Sequence, residues 1–243
     1  MVVESPSFIH GPAPSARLGK TLTIDVTAPQ NNLVVERGSV LARGSVVVTS
    51  SARRLIDLSK GGEKVETIAV VGSEADPASH PDLREITENL RILRTKWFPR
   101  AKLALFTSIK DLDSDALRVA MGMYDKLFFR FEWGTGKVFA AATGEKSTVL
   151  ATLTHAMHGF EHMIVQAHFF RGSLDNSTVS EVTNWIKKLR AIRPQEIHIL
   201  TGPGKQQKAV KAVTPSRREK IAEEVAEATG ISVSIHEDES LFA

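Results

Sequence analysis

From about Glu66 to the C-terminus, short apolar runs alternate with amphipathic segments. The runs cover residues 67–72, 102–107, 126–131, 163–170, 196–200 and 231–235. Each has strand length and β-branched or aromatic content, and several are nearly continuous, as strands covered on both faces are. Between them, the spacing predicts helices over 81–96, 113–121, about 146–158, 177–192 and 215–229. Ser177 and Thr178 supply a cap before the fourth of these, with Glu181 in its first turn. Thr214 stands before Pro215 at the first position of the fifth, and Gly230 stands where that helix should end. Alternation sustained five times predicts an α/β fold with a parallel sheet, either open and doubly wound or closed toward a barrel. No low-complexity linker and no internal repeat interrupts it, so one domain over residues 1–243 is expected.

The first 50 residues differ. Residues 21–26 read as a strand entering the sheet. Residues 31–49 are rich in Val, Gly and Ser, with strand-like stretches at 33–35 and 46–49 around Gly38 and Gly44. That pattern predicts a hairpin or extended loop before a helix over 53–60, at the carboxyl end of the first strand, where α/β folds place their chemistry. Mutual pairing of 33–35 with 46–48 would cover the mouth of a barrel. Gly11-Pro12-Ala13-Pro14, ahead of the strand, reads as a shaped arm across the bottom of the sheet.

Composition narrows the chemistry. The chain has 243 residues, 42% hydrophobic and 24% charged, and no cysteine. Absence of cysteine excludes disulfides, a thiol nucleophile, thiolate zinc sites and ordinary iron–sulfur clusters. No apolar run approaches the ~20 residues of a spanning helix, and the first 20 carry no signal-peptide pattern, so a cytoplasmic protein without a membrane partner is expected. With 31 basic against 28 acidic residues, the net charge of +3 is too small to argue nucleic-acid binding. The one basic concentration, with Lys205, Lys208 and Lys211 beside Gly202-Pro203-Gly204, reads either as a solvated loop or as a phosphate or RNA contact. Aromatic residues for base stacking are scarce there. His155, His158 and His162 would share a helix face and bind zinc if one helix held them, but Gly159 predicts a helix end between them. They read instead as a surface pair plus His162 and His168 in or beside a strand. The acidic stretch 236–240 reads as a solubilising tail.

Gly11-Pro12-Ala13-Pro14-Ser15-Ala16-Arg17-Leu18-Gly19, followed by Leu22-Thr23-Ile24-Asp25, resembles the opening of the wyosine-synthetase-like branch of radical S-adenosylmethionine proteins. In that branch a Pro-Lys-Thr element and a C-x3-C-x2-C cluster motif follow. Pro29-Gln30-Asn31 falls on the first, and Asn32, Glu36 and Ser39 stand where the three cysteines would be. Residues 73–83 align on the branch's G-S-G-E-P-T-L-H-P-D-L, anchored by His80-Pro81-Asp82-Leu83, with Asp76-Pro77 on its Glu-Pro. Phe106-Thr107-Ser108 is similar to its L-T-N-G, with Ser108 for asparagine. Arg171-Gly172 with Asp175-Asn176-Ser177 is similar to its R-G-x-N-D-S, and residues 210–217 to its V-K-P-L-S-P-E-E.

The resemblance implies a partial (βα)6 barrel, with Asp76, Pro77 and Ser108 as the counterparts of residues that receive S-adenosylmethionine. It equally implies that radical chemistry is lost, because Asn, Glu and Ser do not hold a low-potential cluster. Two function classes follow. One is a cluster-free pseudoenzyme that binds a small molecule or protein partner. The other is a cluster-free enzyme acting on a nucleoside-like or phosphorylated substrate, with a link to RNA. No cofactor is expected, S-adenosylmethionine being the one candidate the resemblance leaves. No nucleophile–base constellation is visible in the sequence, which favours the first class.

Overall fold

The computed structural model describes residues 8–28, 41–202, 204 and 209–241. The chain forms two compact units: Met1–Ile109 with Ser114–Leu127 and Ser240–Ala243, and Lys110–Asp113 with Phe128–Glu239.

The first unit runs β1 (Ile9–Ser15), β2 (Gly19–Asp25), α1 (Gly44–Lys60), β3 (Thr67–Val71), α2 (Leu83–Trp97), β4 (Lys102–Thr107) and α3 (Asp115–Met121). β1 lies antiparallel to β2, while β2, β3 and β4 are parallel, with Leu22 opposite Ile68 and Ile68 opposite Leu103. β5 (Lys126–Arg130) begins in this unit and passes into the second. There follow α4 (Gly136–Thr143), α5 (Val149–Ala156), β6 (Met163–His168), β7 (Phe170–Gly172), α6 (Val179–Ile192), β8 (Glu196–Leu200), β9 (Val210–Ala212), α7 (Pro215–Thr229) and β10 (Ser232–His236). Strand order is β1-β2-β3-β4-β5 in the first unit and β5-β6-β8-β10 in the second, with β7 and β9 as a separate antiparallel pair. The fold is therefore α/β and its main ladder mostly parallel, as the alternation predicts.

Side chains along each strand point to alternate faces, and here the two faces differ in chemistry. Leu22, Ile24, Ile68, Val70, Leu103 and Leu105 are all fully buried on one face of the first unit. In the second, Phe129, Phe131, Val165, Ala167, Ile197 and Ile199 form the equivalent layer. Trp185 of α6 closes over it: its Nε1 donates to the Phe131 carbonyl at 2.9 Å and its ring meets Phe169 edge-on at 5.2 Å. Burial of each such side chain is worth about 1.5–3 kcal/mol. The opposite face of the second unit carries Arg130, Gln166, His168 and His198.

The termini of the helices follow the local signals. Thr178 Oγ1 accepts from the Glu181 amide, Thr214 Oγ1 from the Arg217 amide, and Gly230 ends α7 in the left-handed region.

Three expectations are corrected. Residues 46–49 are not a strand; they lie inside α1, which starts nine residues before the expected 53. Val47, Ser51, Leu55 and Leu58 are its buried side, a helical repeat that outweighs the β preference of Val46-Val47-Val48. The proposed hairpin therefore loses its second strand, and the barrel cover with it; residues 33–35 are outside the described residues. The 11–14 arm is part of β1, an edge strand with a bulge between His10 and Ala13. Prolines suit that position because an edge strand can leave its amides unpaired. Finally, the run 163–170 is two strands, β6 and β7, and α4 precedes a shorter α5 than the 146–158 pattern predicts.

Candidate functional site

In the first unit, the ends of β2, β3 and β4 are tied into one hydrogen-bonded knot. Asp25, 2% exposed, accepts at Oδ1 from the amides of Thr27 (3.0 Å) and Ser73 (3.1 Å). Thr27 Oγ1 accepts from the amides of Glu74 (3.2 Å) and Ala75 (3.3 Å). Three successive amides of the loop after β3 thus point at the chain itself. Gly72 makes the fold of this loop feasible, since a Cβ there would lie 2.0 Å from the Ala75 carbonyl oxygen.

Asp76 is the other fastener. Its Oδ1 accepts from the Ala78 amide (2.9 Å) and Thr107 Oγ1 (2.6 Å), and its Oδ2 from the Ser108 amide and Ser108 Oγ (3.0 Å). A carboxylate has about four acceptor positions, so all of them face donors of this chain. Asp76 and Ser108 are therefore brought together, and Pro77 opens the buried 3-10 turn beside them. His80 and Asp82 serve α1 rather than a ligand. His80 Nε2 lies 2.8 Å from the Ala42 carbonyl while its Nδ1 accepts from the Asp82 amide, and Asp82 Oδ2 accepts from the Gly44 amide at 2.9 Å.

The second unit holds a different cluster. Glu132 is fully buried; its Oε1 accepts from Arg130 Nε at 3.1 Å and Nη2 at 2.5 Å. Its Oε2 accepts from the His168 amide (2.9 Å) and faces His168 Nδ1 at 3.2 Å. His168 Nε2 lies 3.2 Å from Asp238 Oδ2. Asn176, 1% exposed, donates to the carbonyls of Glu132 (2.9 Å) and His168 (2.8 Å) and accepts from the Phe170 amide (2.8 Å). Burial by itself would push the Glu132 carboxyl up, but Arg130 and His168 outweigh it and hold it down at about 2. For His168, burial works against charge, yet the contacts with Asp238 and Glu132 prevail and raise its pKa above the ordinary 6.5. Arg130 is likewise raised: burial opposes its charge, and Glu132 and Asp238 more than compensate.

Lys211 is exposed on β9, opposite Arg171 of β7. Lys205, Lys208, Asn32, Glu36 and Ser39 are outside the described residues. His155 and His158 sit at the end of α5, and among the described residues no group of three or more His, Asp or Glu is placed to hold a metal ion. The sequence reading passed over Arg130, Glu132 and Gln166. Their signal was present: polar residues at alternate positions of otherwise apolar runs, which put them on one face of neighbouring strands.

The residues do not fit an iron–sulfur cluster, because the chain supplies no thiolate. No family model and no curated protein sequence matches the chain. Solved structures do. A domain of pyruvate-formate lyase-activating enzyme from Bacteroides vulgatus superposes with a TM-score of 0.54 at 13% identity, over 70% of this chain and 99% of that one. A radical SAM methyltransferase from Sphaerobacter thermophilus does so with 0.57 at 13% identity, over 90% of this chain and 67% of that one. The chain has the fold of radical SAM proteins, without the cysteines on which their cluster depends.

Proposed function

We propose that this protein is a cluster-free pseudoenzyme on a radical-SAM-like fold, which binds a ligand or partner other than S-adenosylmethionine and carries out no radical chemistry. The observation that carries the reading is the self-satisfied loop after β3. Ser73, Glu74 and Ala75 give their amides to Asp25 and Thr27, and all four acceptor positions of Asp76 are taken by the chain. A ligand ammonium would have to displace one of these donors to reach Asp76, and a ligand carboxylate would find no free amide among the three. The absence of cysteine agrees with that. In the second unit, both ring nitrogens of His168 face carboxylates of the chain itself, those of Glu132 and Asp238.

Titration calorimetry with S-adenosylmethionine tests the proposal. No heat is expected at micromolar protein. Saturable binding that depends on Asp76 would contradict it and return the loop to the role implied by the resemblance.

A further inference from the structure

The ladder of the second unit ends on an open edge. β10 pairs with β8 alone, in parallel, with Ser232 opposite Glu196 and His236 opposite Leu200. The Thr201 amide donates to the His236 carbonyl at 3.0 Å, so the backbone groups of Ser232, Ser234 and His236 are the ones turned toward β8. Those of the alternate residues, Val233 and Ile235, therefore point away from the sheet, and among the described residues nothing bonds to them. The edge strand of the first unit is protected: β1 carries Pro12, Pro14 and a bulge, features that keep an edge from pairing. β10 has no proline, no lysine and no bulge. Its side chains are left equally unfinished. Ile197 and Ile199 of β8 are fully buried, whereas Ile235, opposite Ile199, is 38% exposed.

We propose that β10 is the interface of a homodimer, in which it pairs antiparallel with β10 of a second copy about a two-fold axis through Ser234. That register sets Val233 opposite the partner's Ile235, and Ile235 opposite the partner's Val233. Each outward residue then exchanges its N–H and its C=O with the residue across the axis, and none of these groups is left over. The same register makes two Val–Ile side-chain pairs on the face where Ile235 is now exposed.

Charge favours a second copy in this orientation. Glu237, exposed just beyond β10, comes to lie opposite the partner's Ile231, beside the end of α7. At that end stands exposed Arg190, whose Nε and Nη2 both donate to the Ala228 carbonyl, at 2.8 and 2.5 Å. Among the described residues no carboxylate pairs with Arg190 and no cation with Glu237. Antiparallel pairing brings the acidic end of each strand to the basic end of the other, twice by symmetry, whereas parallel pairing would set like charges together. The inference goes beyond the reading above: saturable binding of S-adenosylmethionine would end that reading and leave the oligomeric state untouched.

Sedimentation equilibrium of the full-length protein from ~1 to ~200 μM should show a mass rising from one chain toward two. Ile235→Lys places a charge against the partner's Val233 and should weaken dimerisation at least ~10-fold, since the like change blunts natural edges. Ile235→Pro removes an outward donor without touching the ladder to β8 and should do the same. Glu237→Arg and Arg190→Glu should each weaken the dimer, and the two together should restore it. The chain has no cysteine, so Ser234→Cys provides a single thiol on the axis. Its Cα would lie ~4.5 Å from its symmetry mate, within disulfide range, so mild oxidation should give a covalent dimer. Ser216→Cys, exposed on α7, should give far less. A natural chain that stays monomeric at ~200 μM would overturn the proposal and leave the edge to an extended segment of another protein. A dimer indifferent to both Ile235 variants would overturn the strand interface. Failure of Ser234→Cys to cross-link ahead of Ser216→Cys, in a chain that does dimerise, would overturn the antiparallel register.

Discussion

Asp76→Ala separates a fastener from a ligand receptor. The substitution removes four accepted hydrogen bonds, from the amides of Ala78 and Ser108 and the hydroxyls of Thr107 and Ser108. The hydroxyls can rotate toward water, so they contribute little to the loss. The two amides are directional and part-buried, and bonds from such donors to a charged acceptor are worth ~1.5–3 kcal/mol each. Partial solvent access puts the combined loss nearer the lower end, about 2–4 kcal/mol. With a urea slope of ~3 kcal/mol per molar, the unfolding midpoint should fall by about 1 M. Asp76→Asn keeps one oxygen for half of the donors and turns an amine toward the rest, so its midpoint should lie between. Urea unfolding followed by far-UV circular dichroism measures both. A midpoint for Asp76→Ala within ~0.2 M of the natural chain would refute the fastener role.

Further outcomes follow from the same geometry. Gly72→Ala forces a Cβ to within 2.0 Å of the Ala75 carbonyl oxygen and 2.8 Å of Thr27 Oγ1, so it should destabilise by at least ~1–3 kcal/mol in the same urea assay. Asn176→Ala removes three hydrogen bonds in a buried place, those to the carbonyls of Glu132 and His168 and that from the Phe170 amide, which should cost about 3 kcal/mol or more and lower the melting temperature by several degrees. Glu132 is depressed from 4.5 to about 2, so its contribution, roughly 3 kcal/mol, is complete above pH 4.5 and lost as pH falls toward 2; Glu132→Gln should flatten that part of the stability profile. His168 is shifted the other way: its contribution is complete below pH 6.5 and lost as pH rises through its higher folded value, and an NMR titration giving a value below 6.5 would contradict the charge arrangement.

Where sequence and structure agree, one strong local signal acted alone. Strands β4 and β8 and helix α7 have the expected bounds, because Lys102–Thr107 and Glu196–Leu200 are short apolar runs and α7 carries both its cap and its terminal glycine. Where they part, distant contacts decided. The helical start of α1 depends on Asp82, 38 residues away, which accepts from the Gly44 amide; nothing within Val46-Val47-Val48 announces it. Asp76 and Ser108 were recognisable as neighbours from the resemblance, but the donors that saturate Asp76 come from two segments, its own turn and the end of β4, that only the fold assembles. The Arg130–Glu132–His168 cluster was hidden for a related reason. An apolar run is read by its average, whereas the chemistry lies in the alternate residues, and only strand register brings those of β5 and β6 side by side.

Anaerobic reconstitution with iron and sulfide tests the central claim most directly. With no cysteine to hold a cluster, the desalted protein should be colourless, with negligible iron per chain and no sulfur-to-iron absorption in the visible region. A stoichiometric visible band, bleached by dithionite and altered by S-adenosylmethionine, would contradict the account.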